Sequence, residues 1–377
     1  MKTWILMPDS FKGTMSSEEI CDCMRAQILR HIPDATVHSI PVADGGEGSV
    51  DCFLQAMGGE KVAVSVQGPY GAPIDAFYGR IAENTAVIEM AACAGLPLVG
   101  QDLHPDRTTT YGVGQLILHA ANAGCQKIIV GLGGSCTNDA GAGAAAACGV
   151  RFFDADGHEF VPTGGSLKYV AAVDVSALAP ALCGVEIVAM CDIDNPLYGP
   201  QGAAAVFGPQ KGANAAMVQS LDQGLRQLAG VMTACTGQDL AHTPGAGAAG
   251  GMGYGMQAFF GARLQMGIET VLDTVGFEQL APTADVIVTG EGRMDSQSLR
   301  GKVVMGIARR AKPLDVPVIA VVGDIGDDIQ SAYDQGVTGI FSINRVARDF
   351  EQVKARSKSD LALTMDNLVR FCAAMGL

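Results

Sequence analysis

Residues 127–147 place the tightest limit on what this chain can fold into. The aliphatic run Lys127-Ile-Ile-Val130 leads into Gly131-Leu-Gly-Gly-Ser-Cys-Thr-Asn-Asp-Ala-Gly-Ala-Gly143, and Ala144-Ala-Ala-Ala147 leads out. The order is strand, glycine turn, helix start, the junction from which α/β proteins are built. Glycines permit the tight turn and the approach of a ligand to backbone amides. The first turn of a helix offers unpaired N–H groups and the positive end of a dipole. Gly133, Gly134, Ser135, Thr137, Asn138 and Asp139 are therefore candidates to bind phosphate or carboxylate. No Gly-Lys-Ser/Thr follows at the required spacing, so the segment is not a Walker P-loop.

A chain of 377 residues exceeds one ordinary core and implies two domains. Its 48% hydrophobic and 17% charged content fits a packed globule rather than disorder. A net charge of −14, with no basic stripe, argues against a nucleic-acid partner. The 11 cysteines are scattered, Cys21 and Cys23 forming a C-x-C, and their odd number fits poorly with a disulfide framework. With no signal peptide evident, a reducing cytoplasm is expected. No apolar run reaches the roughly 20 residues a membrane span needs. The 6 histidines show no metal-ligand spacing.

The start of the chain alternates β-α-β-α. A strand over 3–7 is followed by a helix from the capping signature Ser16-Ser-Glu-Glu19 to about 31. A strand over 36–42 and a helix over 50–57 come next. Short strands at 61–66, 77–81 and 86–90, divided by turn residues such as Gly68-Pro-Tyr-Gly71, predict antiparallel pairing. A strand at 185–191 and a long helix at 214–232 lie further on. The last hundred residues return to strands at 286–289, 316–322 and 339–343, with helices at 298–310 and 327–335. Two opening units and three closing strands can complete one five-stranded sheet. The expected fold is thus α/β: a flavodoxin- or Rossmann-like parallel-sheet domain, residues 1–62 plus 283–377, with a mixed α/β domain, 63–282, inserted.

Ligands of open parallel sheets sit beyond the carboxyl ends of the strands. Four segments meet that criterion: Asp9-Ser10-Phe-Lys12-Gly13, Asp44-Gly-Gly-Glu47-Gly48, Gly290-Glu291-Gly-Arg293-Met-Asp295-Ser296, and Gly323-Asp324. If they share one sheet, all four face one crevice. Carboxylates that hold Mg²⁺ and cations that neutralise phosphate oxygens make this a set suited to phosphoryl transfer. Each Asp or Ser taken singly is equally suited to capping a helix or forming a turn. Elsewhere, Cys191-Asp192-Ile-Asp194-Asn195 follows a strand, and Phe207-Gly-Pro-Gln-Lys211-Gly212 and Pro244-Gly-Ala-Gly-Ala-Ala-Gly-Gly-Met-Gly253 add glycine-rich turns. The last of these is read as a hinge, a close helix approach or a ligand loop. Thr108-Thr-Thr110 precedes a helix and reads as its N-cap, or as hydroxyls in contact with a ligand. Glu89, inside an apolar strand, must be salt-bridged or belong to a site.

Pro8-Asp-Ser-Phe-Lys-Gly13, Pro41-Val-Ala-Asp-Gly-Gly-Glu-Gly48, Gly131 to Asp139, Phe207 to Gly212 and Thr289-Gly-Glu-Gly-Arg-Met-Asp-Ser-Gln-Ser298 resemble the bacterial type 1 glycerate kinases. The resemblance spans nearly the whole chain in the same order. One departure is Cys136, where the family usually has Ala; an exposed thiol there would make activity oxidation-sensitive.

The resemblance implies ATP-dependent phosphorylation of D-glycerate with Mg²⁺, and two α/β domains facing across a cleft. On the matched positions, Asp192, Lys12, Asp44 and Asp295 are the catalytic candidates, with Asp192 first choice for general base. Asp44, Asp192 and Asp295 are also the candidate metal ligands. Asp9, Ser10, Glu291, Arg293 and Ser296 join the 133–139 residues in binding substrate and phosphate. Which hydroxyl accepts the phosphate, and whether the protein is a monomer or homodimer, stay open; 2-phosphoglycerate is the favoured product. The rivals are a 3-phosphoglycerate-forming kinase, a kinase of another small hydroxy acid, and a sensor that binds glycerate or nucleotide without turnover.

Overall fold

The computed structural model describes residues 2–43, 45–82, 84–295, 302–346 and 348–376. The chain divides into two compact units. One comprises Met1–Ala43, Gln55–Met57 and Ile268–Leu377, the other Asp44–Leu54 and Gly58–Gly267.

The first unit is built on a five-stranded sheet. Its order is Val337–Ser342, Val318–Val322, Val286–Gly290, Thr3–Pro8, Thr36–Ser39, with every pairing parallel. This is the sheet expected from the two ends of the sequence. The central strands are continuous apolar runs, Trp-Ile-Leu-Met from residue 4 and Val-Ile-Val from 286, because helices cover both faces. On one face Ile20, Cys21, Met24 and Ile28 of the helix Ser17–His31 meet Trp4, Leu6, Val286 and Val288, with Leu361, Met365 and Val369 of the helix Ser357–Ala374. The helix Val303–Ala311 packs against Val286–Gly290 and Val318–Val322. Ser16 and Glu19 form the expected capping box: the Ser16 hydroxyl accepts from the Glu19 amide at 3.1 Å, and Glu19 accepts from the Ser16 amide at 3.0 Å.

Two local expectations change, and a third is not tested. The strand expected to 42 ends at Ser39, just before Ile40-Pro41, and Pro41 has no N–H to give a ladder. The helix expected over 327–335 is only Ser331–Asp334, because Asp328 is left-handed at φ 59°. The first part of the helix expected over 298–310 lies outside the described residues.

The second unit holds a six-stranded mixed sheet in the order Arg263–Gln265, Glu186–Met190, Lys127–Gly131, Thr85–Glu89, Pro73–Ile81, Glu60–Gln67. The first four strands are mutually parallel, and the last two pairings are antiparallel. The antiparallel expectation therefore holds for the short early strands, with Pro73–Ile81 as the strand that runs against the rest. Alternation in Glu60–Gln67, exposed on one side, marks it as the sheet edge. The long helix Ala215–Thr236 begins where the Asn214 side chain accepts from the Met217 amide at 2.9 Å, and it stops at the left-handed Gly237.

Candidate functional site

In the first unit the chain winds one way from Thr3–Pro8 to Thr36–Ser39, and the other way through Val286–Gly290 and Val318–Val322. The switch point lies between Thr3–Pro8 and Val286–Gly290, where Pro8 is paired with Gly290. Two of the charged segments leave the sheet at that point. The Asp9 amide donates to the Gly290 carbonyl at 2.8 Å, so the two chains part side by side. Ser10 donates its amide to the Asp9 carboxylate at 2.7 Å, and Phe11 passes close to Gly290 and Gly292. A Cβ at Gly292 would lie 3.6 Å from the Lys12 amide nitrogen, which measures how closely the segments pass. The third segment joins them: Gly323 and Asp324 donate their amides to the carbonyls of Glu291 and Gly292, each at 3.1 Å.

The switch point therefore gathers Asp9, Ser10, Lys12, Glu291, Arg293, Asp295 and Asp324. Glu291 is buried, whereas Lys12 and Arg293 are exposed. The Arg293 Nε stands 3.6 Å from an Asp295 carboxylate oxygen. Exposed cations beside carboxylates on a strand-end rim can reach a polyphosphate and its metal. Ser296 lies outside the described residues.

The fourth segment departs from the single-crevice expectation. Residues 45–54 belong to the second unit, where they pack on the glycine turn after Lys127–Gly131. The Gly133 amide donates to the Gly45 carbonyl at 3.0 Å, and a Cβ on Gly133 would fall 2.5 Å from the Gly46 Cα. Only glycine allows that approach. Asp44 itself lies outside the described residues. Among the described residues Glu89 forms no ion pair. Its carboxylate accepts the Val50 amide at 2.6 Å and so caps the helix Ser49–Met57, whose own N-cap is Gly48. Burial pushes its pKa up against those helix amides.

The motif after Lys127–Gly131 does not form the open helix N-terminus expected of it. The helix starts only at Ala142, and Asp139 fills its first turn. One Asp139 oxygen accepts from the Thr110 amide at 2.8 Å, the Thr110 hydroxyl at 2.9 Å and the Gly143 amide at 3.3 Å. The other accepts from the Gly141 amide at 3.2 Å. Asp139 is wholly buried, and desolvation raises its pKa against these bonds. Its carboxylate is therefore committed to the loop. Thr110 stands at the N-cap of the helix Tyr111–Asn122, as expected, and the Thr109 hydroxyl accepts the Tyr111 amide at 3.2 Å; the Thr110 hydroxyl instead bonds Asp139 and the Ala144 amide, and the Thr108 hydroxyl donates to the Cys136 carbonyl at 2.9 Å. Together they pin residues 136–144. The Pro244–Gly253 tract supplies the other wall. Ala249, Gly250 and Gly251 are left-handed, and a Cβ on Gly250 would fall 2.0 Å from the Thr137 carbonyl oxygen. Close approach, rather than a hinge, explains that tract.

A residue absent from the sequence candidates completes the loop. Lys211 is 3% exposed, and its ammonium donates to the Ser135 hydroxyl and to the Thr137 carbonyl, both at 2.7 Å. Burial lowers its pKa to about 8. The signal was present in Phe207-Gly-Pro-Gln-Lys211-Gly212: one lysine in a stretch otherwise without charge. Cys136 is buried at 2% exposure and its thiol is pushed up to about 12 by burial, so the exposed, reactive thiol considered from sequence is not there. Asp192 is exposed beyond Glu186–Met190, and one of its oxygens accepts the Gly267 amide at 2.7 Å.

The candidate metal ligands are hard carboxylate oxygens, a donor set that fits Mg²⁺ rather than a thiolate- or imidazole-loving metal. Among the described residues, the one cluster of three potential ligands is Asp154, Asp156 and His158, on a turn remote in sequence from all these segments. Among the described residues no all-protein cage is built from the candidate carboxylates. Among the described residues no helix is long and apolar enough to cross a membrane.

A profile of the glycerate kinase family matches residues 4–373. The chain is 45% identical to the glycerate kinase of Bacillus subtilis over 341 residues, covering 90% of this chain and 89% of that protein. It is 42% identical to the glycerate 2-kinase of Escherichia coli K12, covering 90% of each. A crystal structure from Salmonella typhimurium LT2, 38% identical in sequence, superposes with a TM-score of 0.88 over 100% of this chain and 99% of that one.

Proposed function

Since the chain belongs to the glycerate kinase family, whose members are phosphotransferases, we propose that it transfers the terminal phosphoryl group of ATP to the 2-hydroxyl of D-glycerate. The observation that carries this reading is the gathering of Lys12 and Arg293 with Asp9, Glu291 and Asp295 at the switch point of a parallel sheet. Phosphoryl transfer asks little covalent chemistry of a protein. It asks for alignment and for neutralisation of the charge on the moving group. Lys12 and Arg293 neutralise phosphate oxygens. Asp295, Asp44 and Asp192 are the alternative candidates to hold Mg²⁺, which would supply charge neutralisation across the phosphates when bound. Asp192 is the general base, accepting the proton of the attacking hydroxyl; the Gly267 amide on one oxygen fixes its orientation.

The choice of the 2-hydroxyl rests on the likeness to the Escherichia coli glycerate 2-kinase. All 11 cysteines are free thiols, which supports a reducing compartment, the cytoplasm. A panel of D-glycerate, L-glycerate, D-lactate and glycolate, each with ATP and Mg²⁺, tests the reading. ADP released with D-glycerate, and far more slowly with the others, is the expected result. Tight binding of D-glycerate without turnover would replace the kinase by a sensor.

A further inference from the structure

The 131–143 loop gathers several buried polar atoms that no protein group among the described residues satisfies. Thr137 and Asn138 are each 0% exposed. The Thr137 hydroxyl and both polar atoms of the Asn138 amide are buried with no hydrogen-bond partner among the described residues. Beside them is Lys211, whose ammonium carries three donors but makes two bonds, both to neutral oxygens. Among the described residues no carboxylate forms an ion pair with it. A buried ammonium without a counter-charge, next to three orphaned polar atoms, is costly and demands an explanation.

We propose that Lys211, Thr137 and Asn138 form the site for the hydroxy-acid end of the acceptor, with the carboxylate on the Lys211 ammonium and the Thr137 hydroxyl, and a substrate hydroxyl on the Asn138 amide. The assignment rests on the kinase reading above and names where the acceptor sits. The chemistry of the orphans selects this ligand over a phosphate. A phosphate chiefly offers acceptors and would leave the Asn138 carbonyl oxygen unpaired. A hydroxy acid offers acceptors on its carboxylate and a hydroxyl that can both give and take. Lys211 supplies the charge, and its two existing bonds hold it in place: Ser135 and Thr137 fix the nitrogen before the ligand arrives, which lowers the ordering cost of binding. The charged or titratable groups that act on it are Asp139 and the Cys136 thiol, and Asp139 is already bonded to four donors of its own surroundings.

The decisive variant is Thr137→Val, because the hydroxyl it removes has no partner among the described residues. Wild type and variant are titrated separately with D-glycerate and with a non-hydrolysable ATP analogue by calorimetry. Melting temperatures and steady-state turnover are measured in parallel. The expected result is an unchanged or raised melting temperature, D-glycerate binding weakened about tenfold or more, and nucleotide binding unaltered. Lys211→Met should weaken D-glycerate by about a hundredfold or more, again without touching the nucleotide. Should Lys211→Met fail to fold, Thr137→Val decides alone. D-glycerate affinity equal to wild type in Thr137→Val, or loss confined to the nucleotide, or equal loss of both, overturns the assignment. Wild-type turnover separates the two layers. Absence of any phosphorylation by the wild type refutes the kinase reading, while normal wild-type turnover with unaltered Thr137→Val binding refutes this inference alone.

Discussion

The Lys211 ammonium lies 2.7 Å from the Ser135 hydroxyl, joining the turn after Ala203–Phe207 to the glycine loop after Lys127–Gly131. Both residues are buried, and neither brings a counter-charge. This contact ties the glycine loop to a second segment and places a buried positive charge beside it. It also makes the protein's stability and its anion affinity depend on pH in opposite senses.

Lys211 has a folded-state pKa near 8, below its ordinary 10.5. Between those values the unfolded chain binds more protons than the folded one, so the ligand-free protein should gain stability as pH rises from about 8 toward 10.5. Below about 8 the cost of the buried charge is present in full. Anion affinity should run the other way and fall above about 8, because the neutral amine attracts no carboxylate. Denaturant melts of wild type and Lys211→Met across that range check this. The difference between the two proteins must change with pH; a constant difference contradicts the account.

Asp139→Asn should destabilise the protein by about 2–4 kcal/mol, since an amide presents N–H groups to donors that need an acceptor. Chemical denaturation measures the loss. Unchanged stability with abolished D-glycerate binding would return Asp139 to the ligand and away from the loop.

Asp192→Asn should keep the fold and lower kcat by about 10²–10⁴, the range for a lost general base, with little change in KM. Asn can still accept the Gly267 amide, so stability should hardly move. Normal turnover in a folded Asp192→Asn protein removes this residue from the mechanism.

Thiol labelling of the native protein should modify Cys183 and Cys235, the exposed pair, and leave activity intact. Cys136 should react only on unfolding. Inactivation that tracks labelling of Cys136 under native conditions would contradict its burial.

Much of the fold is legible in the sequence. Continuous apolar runs such as Trp4-Ile-Leu-Met7 and Val286-Ile-Val288 announce strands buried on both faces, and the Ser16–Glu19 box announces a helix start. The helix Ser357–Ala374 carries no such mark, because no capping side chain bonds at its entry, Arg356. The site is legible as a set of segments but not as a set of jobs. Sequence shows Asp139 next to a helix start. It does not show that Thr110, 29 positions earlier, takes up its carboxylate. Nor does it show that 45–54 packs on the Gly131–Gly133 turn rather than joining the first unit, since that depends on two glycine backbones meeting. Lys211 does not stand out in sequence because its partners, Ser135 and Thr137, are 76 and 74 residues away.

The most direct test of the central claim is product identity. Purified protein is given ATP, Mg²⁺ and D-glycerate, with enolase as the sole coupling enzyme and no phosphoglycerate mutase. Enolase accepts 2-phosphoglycerate and not the 3-isomer. Phosphoenolpyruvate forming at once is the result expected of transfer to the 2-hydroxyl. Phosphoenolpyruvate only after mutase is added would move the transfer to the 3-hydroxyl, and no product in either case, from folded protein, would contradict the account.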